Sequence, residues 1–169
     1  MHILETARLK FIPFSYELIK AALEDRTRLA ELLEVHVPEA WPYGEFAEAL
    51  PSILAALEKE PDKHAWGGLI VQREEDILIG DMGFHRAPDA SGTVEIGYSL
   101  ITTHHGRGYA TEMATALVAW AFKQPEITRI IAEFQVQNIA SQRVLEKIGM
   151  HFVEQRGATS LWEMRRATP

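Results

Sequence analysis

Apolar side chains recur along the chain with two different periods, and these periods predict its helices and strands. Apolar and polar residues that alternate at every second position are typical of a strand with one buried face. This pattern is clear where Val94 and Ile96 face one side and Glu95 faces the other. Apolar residues spaced by three and four positions indicate a helix, as with Met113 and Leu117.

These periods, with glycine, proline and capping residues at the boundaries, predict about seven strands and four helices. The predicted strands are 7–14, 65–73, 77–86, 92–101, 128–137, 151–156 and 160–166, and the predicted helices are 15–33, 45–58, 108–123 and 138–148. Three strands follow one another in the middle of the chain, so the order favours a mixed α/β (α+β) domain. It does not fit the regular strand–helix alternation of a Rossmann domain.

Length and composition indicate one globular domain over residues 1–169. A chain of 169 residues can bury roughly 70% of its unfolded surface, and its composition does not shift along its length. The 17 lysines and arginines against 24 aspartates and glutamates give a net charge of −7. This balance argues against a nucleic-acid partner held by bulk charge and suits a cationic substrate such as an amine.

The absence of cysteine excludes disulfides, thiolate nucleophiles and cysteine-ligated metal. His104 and His105 are neighbours whose side chains diverge on an extended segment, so no metal site is predicted. The N-terminus lacks the apolar core of a secretory signal, and no apolar run approaches the ~20 residues that span a bilayer. We therefore expect a cytoplasmic protein without a membrane partner.

Residues 103–112 read Thr-His-His-Gly-Arg-Gly-Tyr-Ala-Thr-Glu and lie between a predicted strand and a predicted helix. Gly106 and Gly108 let the backbone pass close to a ligand, and the free N–H groups of the helix start favour a phosphate. The segment is not a P-loop, and Thr111 stands where GxGxxG has its third glycine. A glycine-containing turn with no ligand remains the alternative.

A second polar segment begins where the strand 128–137 ends. Asn138 is placed to cap the following helix, and Ser141 lies three residues later on the same side of its first turn. Capping alone would explain Asn138.

Together these segments resemble the GNAT acyltransferases, specifically the RimJ/RimL-type branch. The acyl-CoA loop R/Q-x-x-G-x-G/A aligns with residues 105–110, with His105 in place of Arg or Gln, and GYATE is intact at 108–112. The element N-x-x-S-x-x-V-L-E-K-x-G-F matches from Asn138, with Met150 replacing the last residue. The E-I-G-Y strand occurs at 95–98 and the opening T-x-R-L at 6–9. Five matches in the same order cover nearly the whole chain.

The resemblance implies a single GNAT-type domain with a mixed, mostly antiparallel sheet of about seven strands and about four flanking helices. The strands 92–101 and 128–137 splay apart in this fold and open a V-shaped slot. The implied cofactor is acetyl-CoA as acyl donor, with no metal. The implied cofactor-binding residues are Leu100, Ile101, His105, Gly106, Arg107, Gly108, Tyr109, Ala110, Thr111, Asn138 and Ser141.

The implied reaction is direct transfer of an acetyl group to a primary amine. Glu95 is the candidate general base, with an exposed or salt-bridged strand carboxylate as its alternative. The backbone amide near Leu100 would stabilise the oxyanion. Many relatives carry a tyrosine where this chain has Leu145, so Ser141 is the candidate that hydrogen-bonds the departing thiolate. A helix cap or a cofactor-positioning role is its alternative.

The acceptor is left open by the sequence. The candidates to line its pocket are Trp41, Pro42, Tyr43, Phe46 and Trp66, although such residues more often serve core packing than recognition. A protein N-terminus, an antibiotic and a polyamine are all consistent acceptors. A non-catalytic acyl-CoA-binding or regulatory domain is the alternative from another functional class. Dimers are common in the resembling branch, which leaves a homodimer as a further expectation.

Overall fold

A computed structural model describes residues 3–60 and 66–167, which form a single eight-stranded sheet. The order of strands across the sheet is β1-β2-β3-β4-β5-β6-β8-β7. The strands are β1 Leu4–Glu5, β2 Leu9–Pro13, β3 Gly67–Gln72, β4 Ile77–Phe84, β5 Thr93–Leu100, β6 Arg129–Gln135, β7 His151–Arg156 and β8 Thr159–Arg165. The helices are α1 Tyr16–Glu24, α2 Arg26–Leu33, α3 Gly44–Lys59, α4 Tyr109–Ala121 and α5 Ile139–Lys147, with a 3-10 turn at Thr102–His104.

The predicted mixed fold is confirmed, and it contains one strand and one helix more than expected. The added strand is the short β1. The helix predicted over 15–33 divides at Asp25, whose carboxylate accepts a hydrogen bond from the Arg28 amide at 3.0 Å. Asp25 therefore caps α2 as it ends α1. Ala65, the first residue of one predicted strand, lies outside the described residues.

All neighbouring strands pair antiparallel except β5 and β6. These two are parallel over three residue pairs only, of which the last joins Glu95 to Ile131. Beyond that pair, β5 continues against β4 as far as Leu100, and β6 continues against β8. The two strands therefore diverge, and their divergence is the predicted V-shaped slot.

Helices cover both faces of the sheet. Trp120 of α4 packs against Trp66, which contacts Phe84 of β4. Asp81 of β4 points to the opposite face, because its position differs from that of Phe84 by an odd number. On that face its carboxylate contacts Trp41. A smaller apolar cluster joins α1 to α3.

Among residues 3–60 and 66–167, we find no helix that combines the length and the apolar character needed to span a bilayer.

Candidate functional site

The segment between the 3-10 turn and α4 forms an open loop. Gly106 and Gly108 have φ angles of 73° and 82°, in the left-handed region that favours glycine. Residues 105–108 are exposed, and apart from its two chain neighbours no described residue comes within 4 Å of a Cβ built on Gly106. The loop therefore leaves room for a ligand against its backbone.

The start of α4 is not capped by a side chain. Gly108 is the N-cap residue, and the first hydrogen bond of the helix runs from the Glu112 amide to the Gly108 carbonyl at 3.0 Å. The amides of Tyr109, Ala110 and Thr111 precede this bond, so they have no acceptor within the helix. These N–H groups and the positive end of the helix dipole together favour an anion such as a phosphate.

A network between the N-terminal segment and α4 braces this loop. Arg8 donates to Glu112 through Nε at 2.7 Å and forms an ion pair through Nη2 at 2.6 Å. Thr6 donates to the other Glu112 oxygen at 2.6 Å. Arg8 also donates to the Arg107 carbonyl at 3.0 Å and lies 4.5 Å above the Tyr109 ring.

The brace gives two of the motifs a shared structural role. Although burial opposes it, the hydrogen bonds from Thr6 and Arg8 hold the pKa of Glu112 below its usual range. Glu112 is thus a fixed anion in the first turn of α4 rather than a proton acceptor. The T-x-R-L motif supplies Thr6 and Arg8 and the GYATE motif supplies Glu112, and the contacts between them stabilise the loop.

Backbone groups of β5 face the slot at alternate residues. The Ile101 amide donates to the Ile79 carbonyl, and the His85 amide donates to the Glu95 carbonyl. Because alternate residues of an antiparallel strand turn their N–H and C=O groups to opposite sides, those of Tyr98 and Leu100 turn away from β4 and toward the slot. The Ile101 amide is used within the sheet, whereas the Leu100 amide faces the slot.

Two side chains hold the end of β5. The Tyr43 hydroxyl donates to the Leu100 carbonyl, and His105 Nε2 donates to the same oxygen at 2.7 Å. His105, the residue that departs from the usual Arg or Gln, therefore joins the loop to the slot wall through its imidazole. Burial raises the pKa of Tyr43, so its hydroxyl stays protonated and able to donate.

The start of α5 borders the slot from the face that carries α4. The Asn138 side chain accepts from the Ser141 amide at 3.1 Å, so Asn138 does cap the helix. The Tyr98 hydroxyl donates to the Ser141 carbonyl at 3.4 Å and thereby spans from β5 to α5. Burial raises the pKa of Tyr98, and a hydrogen bond with the Ser141 side chain opposes that shift, so the half-buried Ser141 hydroxyl lies beside the Tyr98 hydroxyl. Leu145 is fully buried in the core.

Glu95 lies beside His85 on the other face of the sheet, which carries α1 and α3. Its carboxylate is 3.5 Å from His85 Nδ1, with 30% of its side chain exposed. The hydrogen bond with His85 lowers the pKa of Glu95, and the same bond raises the pKa of His85. The His85 ring covers Gly97, the next residue of β5 on this face. Sequence reasoning assigned no role to His85, because its pairing with Glu95 depends on the β4–β5 register.

Asp81 is a buried carboxyl that sequence reasoning did not select. It is 5% exposed and accepts from the Ser99 hydroxyl at 2.7 Å and from Trp41 Nε1 at 3.3 Å. Burial raises its pKa to about 7, against the effect of these two hydrogen bonds. A signal was available in the sequence, since Asp81 is the only charged residue in the apolar run of β4.

The aromatic residues expected around the acceptor do not form one group. Trp41 is fully buried, and Phe46 packs between Trp41 and Phe14 with ring centroids 5.8 and 5.7 Å apart. Trp66 lies on the other face of the sheet, so it is not a neighbour of Tyr43. Of the five residues, Pro42 is half-buried and Tyr43 alone is exposed.

The family described as "Acetyltransferase (GNAT) domain" matches residues 8–151. The chain belongs to the GNAT acetyltransferase family. The resemblance found in the sequence motifs is thereby confirmed.

Several curated relatives of this acetyltransferase are N-acetyltransferases. It is 31% identical over 150 residues to the uncharacterized N-acetyltransferase YjdG of Bacillus subtilis, covering 88% of this chain and 89% of that one. It is 33% identical over 76 residues to the ribosomal-protein-serine acetyltransferase of Escherichia coli, covering 45% of this chain and 42% of that one.

Solved structures share the fold of this acetyltransferase. A GNAT-family acetyltransferase from Bacillus anthracis has a TM-score of 0.65 at 23% identity, covering 98% of this chain and 99% of that one. The ribosomal L7/L12 α-N-protein acetyltransferase RimL, solved with coenzyme A, has a TM-score of 0.65 at 15% identity, covering 97% and 98%.

The acetyltransferase shows no cluster of three or more histidines, aspartates and glutamates suited to a metal ion within residues 3–60 and 66–167.

Proposed function

We propose that this acetyltransferase transfers the acetyl group of acetyl-CoA directly to a primary amine, without an acyl-enzyme. The observation that carries the proposal is the divergence of β5 from β6 beyond Glu95 and Ile131, next to the uncapped start of α4. The slot opens the sheet from one face to the other. It thus lets an acyl donor on the α4–α5 face meet an acceptor on the α1–α3 face.

The acyl donor has a place on the α4–α5 side. In the proposal its pyrophosphate binds the loop from His105 to Gly108 and the free amides of Tyr109, Ala110 and Thr111. Its pantetheine arm follows the end of β5, where the Leu100 amide and carbonyl face the slot. Two neighbours in fold support this, since RimL was solved with coenzyme A, and the microcin C7 self-immunity acetyltransferase MccE was solved with acetyl-CoA and AMP.

Three groups then share the chemistry. The Leu100 amide donates to the oxyanion of the tetrahedral intermediate. The Ser141 hydroxyl, next to that of Tyr98, donates to the departing thiolate from the α5 side. Glu95, with a pKa lowered by His85, is ionised at neutral pH and attracts the cationic acceptor to the opposite side of the slot. An alkylammonium with a pKa near 10 must lose a proton before it attacks, so a proton acceptor is also required.

The acceptor is proposed only as a primary amine. The net charge of −7 and the Glu95 carboxylate favour a cation, and both a protein N-terminus and a polyamine or antibiotic amine satisfy that. The Escherichia coli relative is named for a ribosomal-protein serine, which makes serine-initiated peptides the first acceptors to test. The cytoplasmic location and the homodimer stay predictions.

The test is isothermal titration of the protein with acetyl-CoA and with free CoA, followed by thiol release across peptides, polyamines and aminoglycosides. Saturable binding with acetylation of an amine supports the proposal. Binding without turnover on any amine favours the non-catalytic alternative, and no binding at millimolar acetyl-CoA refutes both.

Gly108→Asp supplies the matched variant for this titration. Gly108 has a φ of 82°, so the substitution strains the backbone and places a carboxylate beside the phosphate site. We expect at least tenfold weaker binding of acetyl-CoA. Gly157→Asp is the control, since Gly157 has a φ of 62° in the β7–β8 turn, with no atom within 4 Å of its Cβ position. Equal losses in both variants would show that strain, and not the loop, weakens binding.

A further inference from the structure

Asp81 is buried, and no ion pair joins it to a cation within residues 3–60 and 66–167. Its hydrogen-bond partners among the described residues are the Ser99 hydroxyl and the Trp41 indole, both neutral. A buried carboxylate that lacks a counter-charge is costly, and such groups cluster at functional sites. The core around Asp81 is otherwise apolar, with the fully buried Leu69 opposite it on β3.

Ser99 connects this carboxyl to the slot. It is the residue opposite Asp81 in the β4–β5 register, and it is half-buried rather than enclosed. It immediately precedes Leu100, whose amide faces the slot and whose carbonyl is held by Tyr43 and His105. A group that bonds the Ser99 hydroxyl from the α1–α3 face therefore lies next to the proposed oxyanion donor.

Glu95 is farther from that position. It lies four residues before Ser99 on the same face of β5, which is about 13 Å along an extended strand. Its carboxylate is also engaged by His85. Glu95 therefore reaches an amine at the Leu100 amide only through intervening water, whereas Ser99 is adjacent to it.

We propose that Ser99 and Asp81 form a proton-accepting pair for the acetyl transfer, in which Ser99 contacts the amine and Asp81 acts through Ser99. This inference rests on the proposed function. Asp81 is then a positioning residue that holds the Ser99 hydroxyl and receives its proton.

In the proposed step, the lone pair of the neutral amine forms a C–N bond with the thioester carbonyl carbon, which leaves a positive nitrogen and an oxyanion. An N–H proton moves to the Ser99 oxygen while the Ser99 proton moves to Asp81 Oδ2. The C–S bond then breaks, the thiolate leaves with its electron pair, and the Asp81 proton returns through Ser99 to water.

The ionisation of Asp81 suits this role. Burial raises its pKa to about 7, so it exchanges a proton readily near neutral pH. The titratable group that faces it from the start of α3 is Tyr43, whose pKa burial and Asp81 both raise. On β5 the ionisable residue of this face is Glu95, paired with His85 of β4. Arg26 of α2 is bonded to the Trp41 carbonyl.

A purely structural role is the competing explanation, in which Asp81 only holds Trp41 in the core. Asp81→Asn, Ser99→Ala and Trp41→Phe separate the two. The asparagine in the first variant keeps an acceptor for both donors but takes no proton. Ser99→Ala keeps the Asp81 carboxyl and removes the hydroxyl that joins it to the slot. Trp41→Phe keeps both the carboxyl and the Ser99 hydroxyl and removes only the hydrogen bond from the indole.

The experiment measures thiol release from acetyl-CoA against pH, with the acceptor that reacts best in the panel above. We expect Asp81→Asn and Ser99→Ala each to lower kcat about 100-fold, the lower range for general-base catalysis, with KM for acetyl-CoA nearly unchanged. The double variant should be no slower than the slower single variant, because the two residues act as one unit. The hydrogen bond from Trp41 lowers the pKa of Asp81 in the wild type. Trp41→Phe removes this bond, so the pKa should rise and the acidic limb of the kcat–pH profile should move to higher pH.

Unchanged kcat and pH profile in Asp81→Asn or Ser99→Ala, with wild-type turnover present, would overturn this inference and leave the proposed function standing. Failure of the wild type to bind acetyl-CoA would instead remove the proposed function. If Asp81→Asn does not fold, Ser99→Ala decides alone. If no amine in the panel reacts, a carbon-13 carboxyl titration of the wild type decides, because an Asp81 midpoint below about pH 5 contradicts a proton acceptor that works near neutrality.

Discussion

The stability of Asp81→Asn relative to the wild type is expected to increase as the pH rises. The Asp81 pKa is raised from 3.8 in the unfolded chain to about 7 in the folded one. Between these values the unfolded chain has released the proton and the folded chain still holds it. Because the unfolded state then binds fewer protons, the wild type loses stability with rising pH until the folded-state pKa is passed.

The magnitude follows from the shift of about three pKa units. At 1.36 kcal/mol per unit, the whole effect is about 4 kcal/mol, of which about 2.5 kcal/mol falls between pH 5 and pH 8. Asparagine does not titrate, so the difference in free energy of unfolding between the variant and the wild type isolates Asp81. The buried amide of asparagine leaves hydrogen-bonding groups unsatisfied at a cost of about 1–3 kcal/mol, but that cost does not vary with pH.

The assay is equilibrium urea unfolding of both proteins at pH 5, 6, 7 and 8, followed by tryptophan fluorescence and by circular dichroism. We expect the variant to gain on the wild type by about 2.5 kcal/mol over this range, whichever protein is more stable at pH 5. A difference that stays constant within about 0.5 kcal/mol would refute the reasoning, because it would mean that Asp81 ionises in the folded protein as readily as in the unfolded chain.

Three further substitutions test the site. Glu112→Gln removes the Arg8–Glu112 ion pair, so it should lower the free energy of unfolding by about 2 kcal/mol in urea unfolding. It should also weaken acetyl-CoA binding several-fold in calorimetry. The control is Glu126→Gln at an exposed position, which should change neither quantity. Ser141→Ala should lower kcat by tenfold or more without weakening acetyl-CoA binding, whereas a change confined to KM for acetyl-CoA in steady-state kinetics would make Ser141 a positioning residue. Tyr43→Phe should raise KM for the amine while Trp66→Phe leaves it unchanged, since Tyr43 bonds the Leu100 carbonyl in the slot wall and Trp66 packs on the other face of the sheet; equal effects would contradict the assignment of the two residues to opposite faces.

Features that depend on short stretches of sequence were predictable. The order of the elements follows from the apolar periods, and the loop at 105–110 follows from its glycines and the helix behind it. The parallel β5–β6 pair and its slot came from the family resemblance, because no local pattern shows where two distant strands part. The division of the first helix at Asp25 was missed because apolar residues continue on both sides of the break, although an aspartate before a helical turn is a capping signal.

Contacts between distant segments were beyond reach of the sequence. The Thr6–Arg8–Glu112 network joins positions more than one hundred residues apart, and each motif alone shows no reason for its residues. The Asp81–Ser99 and His85–Glu95 pairs depend on the register between β4 and β5. A shift of one residue in that register would turn these side chains to opposite faces.

Under the proposed function, the contacts of Arg8 with the loop and α4 give the segment before β2 an influence on acetyl-CoA affinity that the fold alone does not suggest. The residues of all five helices and of β5 and β6, which line the slot, come after Leu9, so a variant that starts at Leu9 contains them all. It would lack the guanidinium that bonds Glu112 and the Arg107 carbonyl and covers the Tyr109 ring. In the proposed site, binding of the phosphates would then have to order the loop as well, and this cost would lower the affinity for acetyl-CoA. Under the proposed function, removal of the residues before Leu9 would therefore weaken the binding of acetyl-CoA without removing any residue of the loop itself.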